Sequence, residues 1–184
     1  MTLSKRHPMT PSHVETEHSL WLTFDGDADE YRQLREAIAD LADTYEDAPV
    51  FDPHVTLRGG LTGDRTALAE TTRELAETPE PLDIAFGDVQ CSTTAHQCVF
   101  LLVTPTLELL RLRRQSTAAF DRDEETYVPH LSLLYGELSI ERRVALAEAI
   151  DTSALPERGR CTAITLVDTT GPVREWESVR SVRL

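Results

Sequence analysis

One octapeptide pattern occurs twice in this chain. The segments PHVTLRGG, at 53–60, and PHLSLLYG, at 129–136, both read Pro-His-aliphatic-hydroxyl-Leu and carry a glycine seven positions after the proline. Each copy lies between two helical patterns, so both halves of the chain run strand, helix, motif strand, helix, strand. Such an internal repeat implies two similar lobes related by a pseudo-two-fold axis. Two equivalent strands would then present matching side chains to one shared cleft.

Turn residues and hydrophobic periodicity divide the first half into elements. Strand-like residues over 19–24 are followed by apolar residues at helical spacing up to about residue 46. Asp52-Pro53 ends that helix, and the motif segment is typical of a strand. The remaining elements are a helix that begins at Gly63-Asp64 and ends before Pro79 and Pro81, and a hairpin formed by 82–90 and 97–103.

The second half follows the same order. A strand at 98–103 leads into Thr104-Pro105, a helix entry with proline in the first turn, and the helix continues to about Phe120. A charged loop, DRDEE, precedes the motif strand, and Ser139 is predicted to cap the next helix. The apolar side of that helix is predicted to carry Ile140, Val144, Ala147 and Ile150. The closing strands are predicted at 161–168 and 176–184.

The histidine and the hydroxyl residue of each motif share one face of their strand, because residues i and i+2 of a strand point the same way. His54 and Thr56 therefore project together, as do His130 and Ser132. An unperturbed imidazole has a pKa of about 6.5, so one ring can act as a general base while the other acts as a general acid. Hydroxyl groups can donate hydrogen bonds to phosphate oxygens. This set suits opening of a cyclic phosphodiester by water, and we expect neither a metal nor another cofactor.

Two other motif residues have alternative roles. Strict alternation puts Arg58 on the face of His54, where it could bind phosphate. If the strand has already reached its edge at Gly59-Gly60, Arg58 is solvated instead. Tyr135 is five positions after His130, so alternation sends it to the core or to a stacking surface unless the strand bends at Gly136. The pattern leaves both positions open.

Aromatic residues and histidines outside the motifs carry weaker signals. Trp21 lies early in the first predicted strand and Trp176 early in the last. Each is either a core residue or a surface that stacks on a nucleobase of the substrate. We expect a solvated turn position for His96. No specific role is predicted for the histidines of the polar N-terminal segment, His7, His13 and His18.

The three cysteines are an odd number at no metal-like spacing. Cys91 and Cys98 could face each other across the predicted hairpin, whereas Cys161 lies in a later strand. The favoured interpretation is that all three are small apolar residues in a reduced cytosol.

Composition limits the location and the partners. A flexible lead-in is predicted over 1–17 and a single bilobal domain over 18–184. The chain has no apolar run of membrane-spanning length and no signal-peptide core, so we expect a cytoplasmic protein without a membrane partner. Its net charge is −14 and Lys5 is its only lysine, as in proteins adapted to high salt. Because there is no basic stripe, we expect a small phosphorylated ligand rather than a long nucleic acid as the partner. We also expect a monomer.

The two motifs resemble the paired His-x-Thr/Ser motifs of the two-histidine (2H) phosphoesterases. HSLWLTF, PHLSLLYGEL and REWESV are similar to the cyclic phosphodiesterase branch of that superfamily, which includes plant and yeast enzymes, and the resemblance covers most of residues 18–184. It implies an α+β, LigT-like fold of two pseudo-symmetric lobes. Each lobe would be an antiparallel sheet backed by helices, with a water-filled central cleft between them.

The resemblance also implies a reaction. Enzymes of this branch hydrolyse ADP-ribose 1″,2″-cyclic phosphate to the 1″-phosphate and nucleoside 2′,3′-cyclic phosphates to the 2′-phosphate, without a metal. His54, Thr56, His130 and Ser132 match their motif positions, and Tyr135 matches a tyrosine that helps to hold phosphate. Arg58, in contrast, stands where plant-like sequences have an aliphatic residue, and the plant enzyme's disulfides do not map onto the three cysteines.

The hypothesis is therefore a cytoplasmic cyclic phosphodiesterase that acts on a small cyclic phosphate. We expect His130 to activate water and His54 to protonate the leaving oxygen, although the pseudo-symmetry allows the reverse. The alternatives are an RNA end-processing or 2′,5′-RNA ligase-like enzyme of the same superfamily, disfavoured by the acidic composition, and a non-catalytic nucleotide-binding module.

Overall fold

The computed structural model describes residues 16–45, 47–123 and 125–184 of the chain. The predicted lead-in lies outside the described residues as far as residue 15. The helices and strands are β1 (Glu17–Phe24), α1 (Asp29–Asp43), β2 (His54–Thr62), α2 (Arg65–Leu75), β3 (Leu82–Cys91), β4 (Val99–Val103), α3 (Leu107–Ala119), β5 (His130–Leu134), α4 (Ile140–Ala149), β6 (Arg158–Asp168) and β7 (Glu177–Arg183). Strand, helix, motif strand, helix, strand therefore occurs twice, as the repeat predicts.

All strands belong to one antiparallel sheet in the order β1-β2-β5-β4-β3-β6-β7, and β1 also pairs with β6. One lobe consists of β2, β1, β6 and β7, and the other of β5, β4 and β3. Each lobe thus takes its third strand from the other half of the chain. The lobes join where Leu82–Ala85 of β3 pair with the start of β6 and where β2 meets β5. This exchange of strands follows from the hairpin between β3 and β4.

Side-chain caps begin three of the four helices. The side chains of Asp64, Thr106 and Ser139 accept hydrogen bonds from the backbone N–H groups of Ala67, Leu109 and Arg142. The cap at Ser139 is the predicted one. Pro105 lies before the cap residue of α3 rather than in its first turn, because the Thr106 hydroxyl supplies an acceptor for the free N–H groups of that turn.

The predicted apolar side of α4 is confirmed in part. Ala147 and Ile150 are half-buried and pack against a core cluster, whereas Ile140 and Val144 are 47% and 40% exposed. The most buried residue of the helix is Arg143, which is 3% exposed. The Arg143 guanidinium donates to backbone carbonyls of the neighbouring loops, so burial leaves its donors satisfied. The inward side of α4 is therefore set by these hydrogen bonds together with the second half of the apolar pattern.

The hydrophobic core lies between the sheet and the helices. Alternate residues of the motif strands, Val55 and Leu57 in β2 and Leu131 and Leu133 in β5, are almost completely buried in it. The motif residues that alternate with these leucines and valine, namely His54, Thr56, His130 and Ser132, must then face away from the core. No helix within the described ranges is long and apolar enough to cross a membrane.

Candidate active site

The two motif strands lie side by side at the centre of the site. They are antiparallel, with Val55 of β2 opposite Leu131 of β5. An antiparallel pair has a local two-fold axis between its facing residues, so the motifs occupy equivalent places around that axis. Extending the register by one residue in each direction puts each histidine across from the hydroxyl residue of the other strand. The duplicated sequence thus becomes a pseudo-symmetric arrangement of side chains.

A cavity of about 400 Å³ opens on this side of the sheet. Three of the four motif residues line it, namely His54, Thr56 and His130. The rest of the wall consists of Glu17, Ser19, Trp21, Gly59, Gly60, Thr94, His96, Gln97, Tyr135, Thr169 and Trp176. Within the described part of the chain, this wall contains one carboxylate, Glu17, and no lysine or arginine.

His54 is the more deeply placed of the two imidazoles. It is 4% exposed, and its ring stacks on Trp21 with a centroid distance of 3.5 Å. Its Nδ1 lies 2.7 Å from the carbonyl oxygen of Asp52 and its Nε2 lies 3.3 Å from the Tyr135 hydroxyl. The pKa of His54 is lowered to about 4, chiefly by burial and to a smaller extent by the charge of His130, while the hydrogen bond to the Asp52 carbonyl opposes the shift. His54 is therefore neutral at pH 7 in the free protein.

His130 is half-buried. Its Nδ1 lies 2.8 Å from the carbonyl oxygen of Val128, and the edge of its ring meets Phe100 at a centroid distance of 5.3 Å. Burial lowers the pKa of His130, whereas the hydrogen bond to Val128 opposes that shift. Like His54, it is anchored to the carbonyl two residues before it.

These anchors determine the tautomer of both rings. A carbonyl oxygen accepts hydrogen bonds, so Nδ1 of each imidazole must carry the proton and donate it. In a neutral ring, Nε2 is then the basic nitrogen, and in a protonated ring Nε2–H is the acidic group. Tyr135, whose hydroxyl lies beside Nε2 of His54, donates to that nitrogen when the ring is neutral. Both reactive nitrogens therefore face away from their anchoring carbonyls.

The two motif hydroxyls have different surroundings. Thr56 is half-buried in the cavity wall, whereas Ser132 is 5% exposed and is absent from that wall. The Ser132 hydroxyl donates its proton to the carbonyl of His96, at 2.9 Å. It therefore contacts the β3–β4 connection rather than the cavity.

Tyr135 follows the last residue of β5, where strand alternation no longer applies. Its ring stacks on Phe51 at a centroid distance of 3.9 Å, while its hydroxyl reaches His54. Burial raises the pKa of Tyr135, and the Ser132 side chain moderates that rise. The strand ends at Leu134, and the Tyr135 hydroxyl thus reaches the site although alternation alone sends the residue elsewhere.

Arg58 lies neither in the cavity wall nor in solvent. Thr56 pairs with Trp21 of β1, but Arg58 pairs with Leu20, so Leu57 is an extra residue that forms a β-bulge. The bulge turns Arg58 toward the side of Leu20, and its side chain is 2% exposed, with Nη1 3.6 Å from a Glu125 oxygen. Strict alternation therefore fails at this position.

Two side chains from the second half hold the bulged strand. Arg113 donates from Nη1 to the carbonyl of Leu57, at 2.6 Å, and the Tyr127 hydroxyl donates to the carbonyl of Thr56, at 3.1 Å. The Arg113 guanidinium lies 4.9 Å from the centroid of the Tyr127 ring. The carbonyls of Thr56 and Leu57, at the bulge, thus accept hydrogen bonds from side chains of the second half.

Aromatic rings from both lobes meet at the cavity. Trp176 lies 5.9 Å from Trp21, 6.0 Å from Tyr135 and 5.5 Å from His96, between ring centroids. His96 was expected in a solvated turn; its side chain is exposed, yet its ring packs on Trp176 and Tyr135. The turn bends back over the cleft, so a position typical of a loop becomes part of the wall.

Sequence reasoning missed Gln97 and misplaced His18. Gln97 lies next to His130 in the cavity wall, at the end of a polar connection that has no periodic signal. His18 is a completely buried residue of β1, not part of a polar lead-in, and pairs with Leu61 and Asp168. Its position became clear only from the extent of β1.

The cysteines and the potential metal ligands lie as follows. Cys91, Cys98 and Cys161 are all free thiols, and the last two are buried. In the described portions of the chain, no three His, Cys, Asp or Glu side chains cluster so that they could hold a metal ion.

Comparison with known proteins identifies the family of this chain. The family of cyclic phosphodiesterase-like proteins matches residues 17–184. This chain belongs to that family. The chain is therefore a phosphodiesterase of the 2H phosphoesterase type. The resemblance predicted from the motifs is confirmed.

Named relatives and a solved structure extend the comparison. A cyclic phosphodiesterase of Arabidopsis thaliana is 29% identical and covers 88% of this chain and 92% of its own length. A 2′,3′-cyclic-nucleotide 3′-phosphodiesterase of Yarrowia lipolytica is 26% identical, over 86% and 95% of the two chains. E. coli LigT in its apo form has a TM-score of 0.59 at 14% identity, over 92% of this chain and 98% of LigT. The α+β, LigT-like fold is thereby confirmed.

Proposed function

We propose that this family member hydrolyses nucleoside 2′,3′-cyclic phosphates and ADP-ribose 1″,2″-cyclic phosphate by paired-histidine catalysis without a metal. The observation that carries the proposal is the equivalent anchoring of His54 and His130, each through Nδ1 to the carbonyl two residues earlier. This anchoring leaves two Nε2 atoms as a proton acceptor and a proton donor in one cavity. The names of the Arabidopsis and Yarrowia relatives support the substrate class.

In the proposed reaction, water attacks phosphorus in line with the leaving ring oxygen. Nε2 of His130 takes the water proton as the new P–O bond forms. Nε2–H of His54 gives its proton to the leaving oxygen as the old P–O bond breaks, so the product is a phosphomonoester with a free hydroxyl. The Thr56 and Tyr135 hydroxyls donate to the non-bridging oxygens, where negative charge increases in the transition state. Ser132 supports this site through the His96 carbonyl.

Exposure supports this division of roles. His130 is half-buried and can meet water from solvent, whereas His54 lies beneath Trp21 and beside Tyr135. His54 must be protonated to act as the acid, although its pKa in the free protein is about 4. A bound phosphate raises that pKa, because a negative charge nearby favours the imidazolium.

The pH dependence of kcat/KM follows from the lowered pKa values. The productive enzyme carries one proton on the two histidines together. Burial lowers the pKa of both histidines below the ordinary value of 6.5, and that of His54 to about 4. The singly protonated form therefore becomes more abundant as pH falls below 6.5 and is replaced by the doubly protonated form near pH 4. We expect kcat/KM to reach its maximum between these values, measured in constant ionic strength buffers. A maximum above pH 7 would contradict the buried geometry.

The wall of the cavity supports a small substrate. Glu17 is its one carboxylate, and within the described residues no lysine or arginine accompanies it. The cyclic phosphodiester group at the reaction centre carries one negative charge, which neutral donors can bind, whereas a long nucleic acid gains affinity mainly from cationic side chains. We therefore propose that the substrates are small cyclic phosphates; a monomeric state and a cytoplasmic location are separate parts of the proposal. Trp176, half-buried in the cavity wall, is the proposed surface for a nucleobase or adenine ring.

A product assay in EDTA tests the function. The enzyme is offered ADP-ribose 1″,2″-cyclic phosphate, the four nucleoside 2′,3′-cyclic phosphates and an oligonucleotide with a 2′,3′-cyclic phosphate end. We expect the 1″-phosphate and the 2′-phosphates as products, at rates that EDTA does not change. Preference for the oligonucleotide would indicate RNA end processing, binding without turnover would indicate a binding module, and activity restored only by added metal would refute the mechanism.

A further inference from the structure

We propose that Gln97 is a positioning residue for His130, and that the segment 92–97 is fixed by Arg143 for this purpose. The inference rests on the role proposed above for His130. Gln97 is half-buried in the cavity wall, and its amide nitrogen lies 3.1 Å from Nε2 of His130 and 3.5 Å from Nδ1. No other side-chain amide lines the cavity among the described residues.

The two distances place the amide against the face of the imidazole. A group on the lone-pair axis of Nε2 would be much farther from Nδ1, because the two nitrogens are separated by a ring carbon and their in-plane directions diverge. Nδ1 donates to the Val128 carbonyl and cannot accept from Gln97. The contact is thus an N–H group over an aromatic ring, and Nε2 keeps its lone pair for water.

In the first lobe, the equivalent histidine, His54, is held by a different contact. Trp21 pairs with Thr56, and Phe100 pairs with Ser132, so Phe100 is the pseudo-symmetric counterpart of Trp21. Trp21 stacks flat on its histidine, whereas Phe100 meets His130 with an interplanar angle of 66°. A flat aromatic stack therefore does not hold the His130 ring, and the Gln97 amide supplies a contact with its face.

The segment that carries Gln97 is held by hydrogen bonds to its backbone. The Arg143 Nη1 donates to the carbonyls of Ser92 and Thr94, at 2.6 and 2.7 Å, and its Nε donates to the Leu138 carbonyl. The Gly136 N–H donates to the next carbonyl of the segment, at Ala95.

The Ser132 hydroxyl donates to the carbonyl after that one, at His96. Arg143 of α4, Ser132 of β5 and Gly136 just after β5 thus donate hydrogen bonds to four carbonyls of the β3–β4 connection. Gln97 is the next residue along that connection. The position of the amide is consequently set by the strand that carries His130.

The amide also affects the charge state of His130. An N–H dipole over the ring is repelled by an imidazolium and tolerated by a neutral imidazole, so Gln97 favours the form that accepts a proton. The titratable side chains that share the cavity are His54, His96, Tyr135 and Glu17. Of these, only His96 belongs to the segment 92–97, and its ring packs on Tyr135 and Trp176.

The decisive experiment is an NMR titration of His130 in the variants Gln97→Glu and Gln97→Leu. A carboxylate at the ring face stabilises the imidazolium, so Gln97→Glu should raise the pKa of His130 by about one unit. The high-pH limb of kcat/KM should move upward with it. Gln97→Leu keeps the bulk but removes the N–H, and kcat should fall roughly tenfold because the ring loses its fixed orientation.

Gln115 offers a matched control. It is exposed on α3, and Gln115→Glu and Gln115→Leu should leave both the titration and the kinetics at their original values. An unchanged His130 titration in Gln97→Glu would overturn the inference, whether or not the wild-type protein hydrolyses cyclic phosphates. A shifted titration in a protein without such activity would instead refute the proposed function and retain the contact.

Discussion

Replacement of His130 by alanine is expected to lower kcat on a 2′,3′-cyclic nucleotide by roughly 100- to 10,000-fold, the range typical of a general acid or base. The same loss is expected for His54→Ala. Both rings are held by a carbonyl through Nδ1, and both present Nε2 to the same cavity. Steady-state kinetics with each variant measure the effect, and full activity in either variant would remove that histidine from the reaction.

A second substrate separates the acid from the base. A p-nitrophenyl phosphodiester has a leaving group that departs without a proton, so loss of the general acid matters less. His54→Ala should retain a larger fraction of wild-type activity on this substrate than on the cyclic nucleotide, whereas His130→Ala should lose both equally. The opposite pattern would exchange the two roles, which the pseudo-two-fold axis permits.

Leu131→Ala is expected to give the largest loss of stability among single changes near the site. Leu131 is completely buried in the core and is the residue of β5 that pairs with Val55 of β2. Truncation of a buried leucine removes its transfer free energy and leaves a cavity, at a cost of about 2–5 kcal/mol in the free energy of unfolding. Chemical denaturation monitored by circular dichroism measures it, and the midpoint should fall without a change of slope.

Leu107→Ala is the matched control for that measurement. Leu107 lies in the first turn of α3 and is 67% exposed, so the same truncation removes little buried surface. Its effect should stay within about 0.5 kcal/mol. Equal effects of the two substitutions would mean that the motif strands do not pack on the core as described.

Much of the site was accessible from the motifs alone. The two-residue spacing in each motif places histidine and hydroxyl on one face of a strand, and the repeated order of elements implies a two-fold relation. His54, Thr56 and His130 accordingly meet in one cavity. These properties are local, because strand alternation and helix caps depend on residues a few positions apart.

Other features depend on contacts between distant segments. The bulge at Leu57 that buries Arg58 is visible only in the register of β2 against β1. Likewise, Arg143 is buried against the predicted apolar pattern of α4 because carbonyls about 50 residues away accept its hydrogen bonds. No periodic signal within β2 or α4 contains this information.

The amino-acid pattern thus specifies the pair of motif strands, the chemical groups that they carry and the order of helices around them. Only the folded chain shows that the two halves exchange their third strands, that the 92–97 connection brings Gln97 to His130, and that the two imidazoles differ in burial. The difference lies in the range of the interactions. Side-chain direction along a strand is set by neighbouring residues, whereas desolvation and backbone hydrogen bonding at a site are set by whichever distant segments pack there.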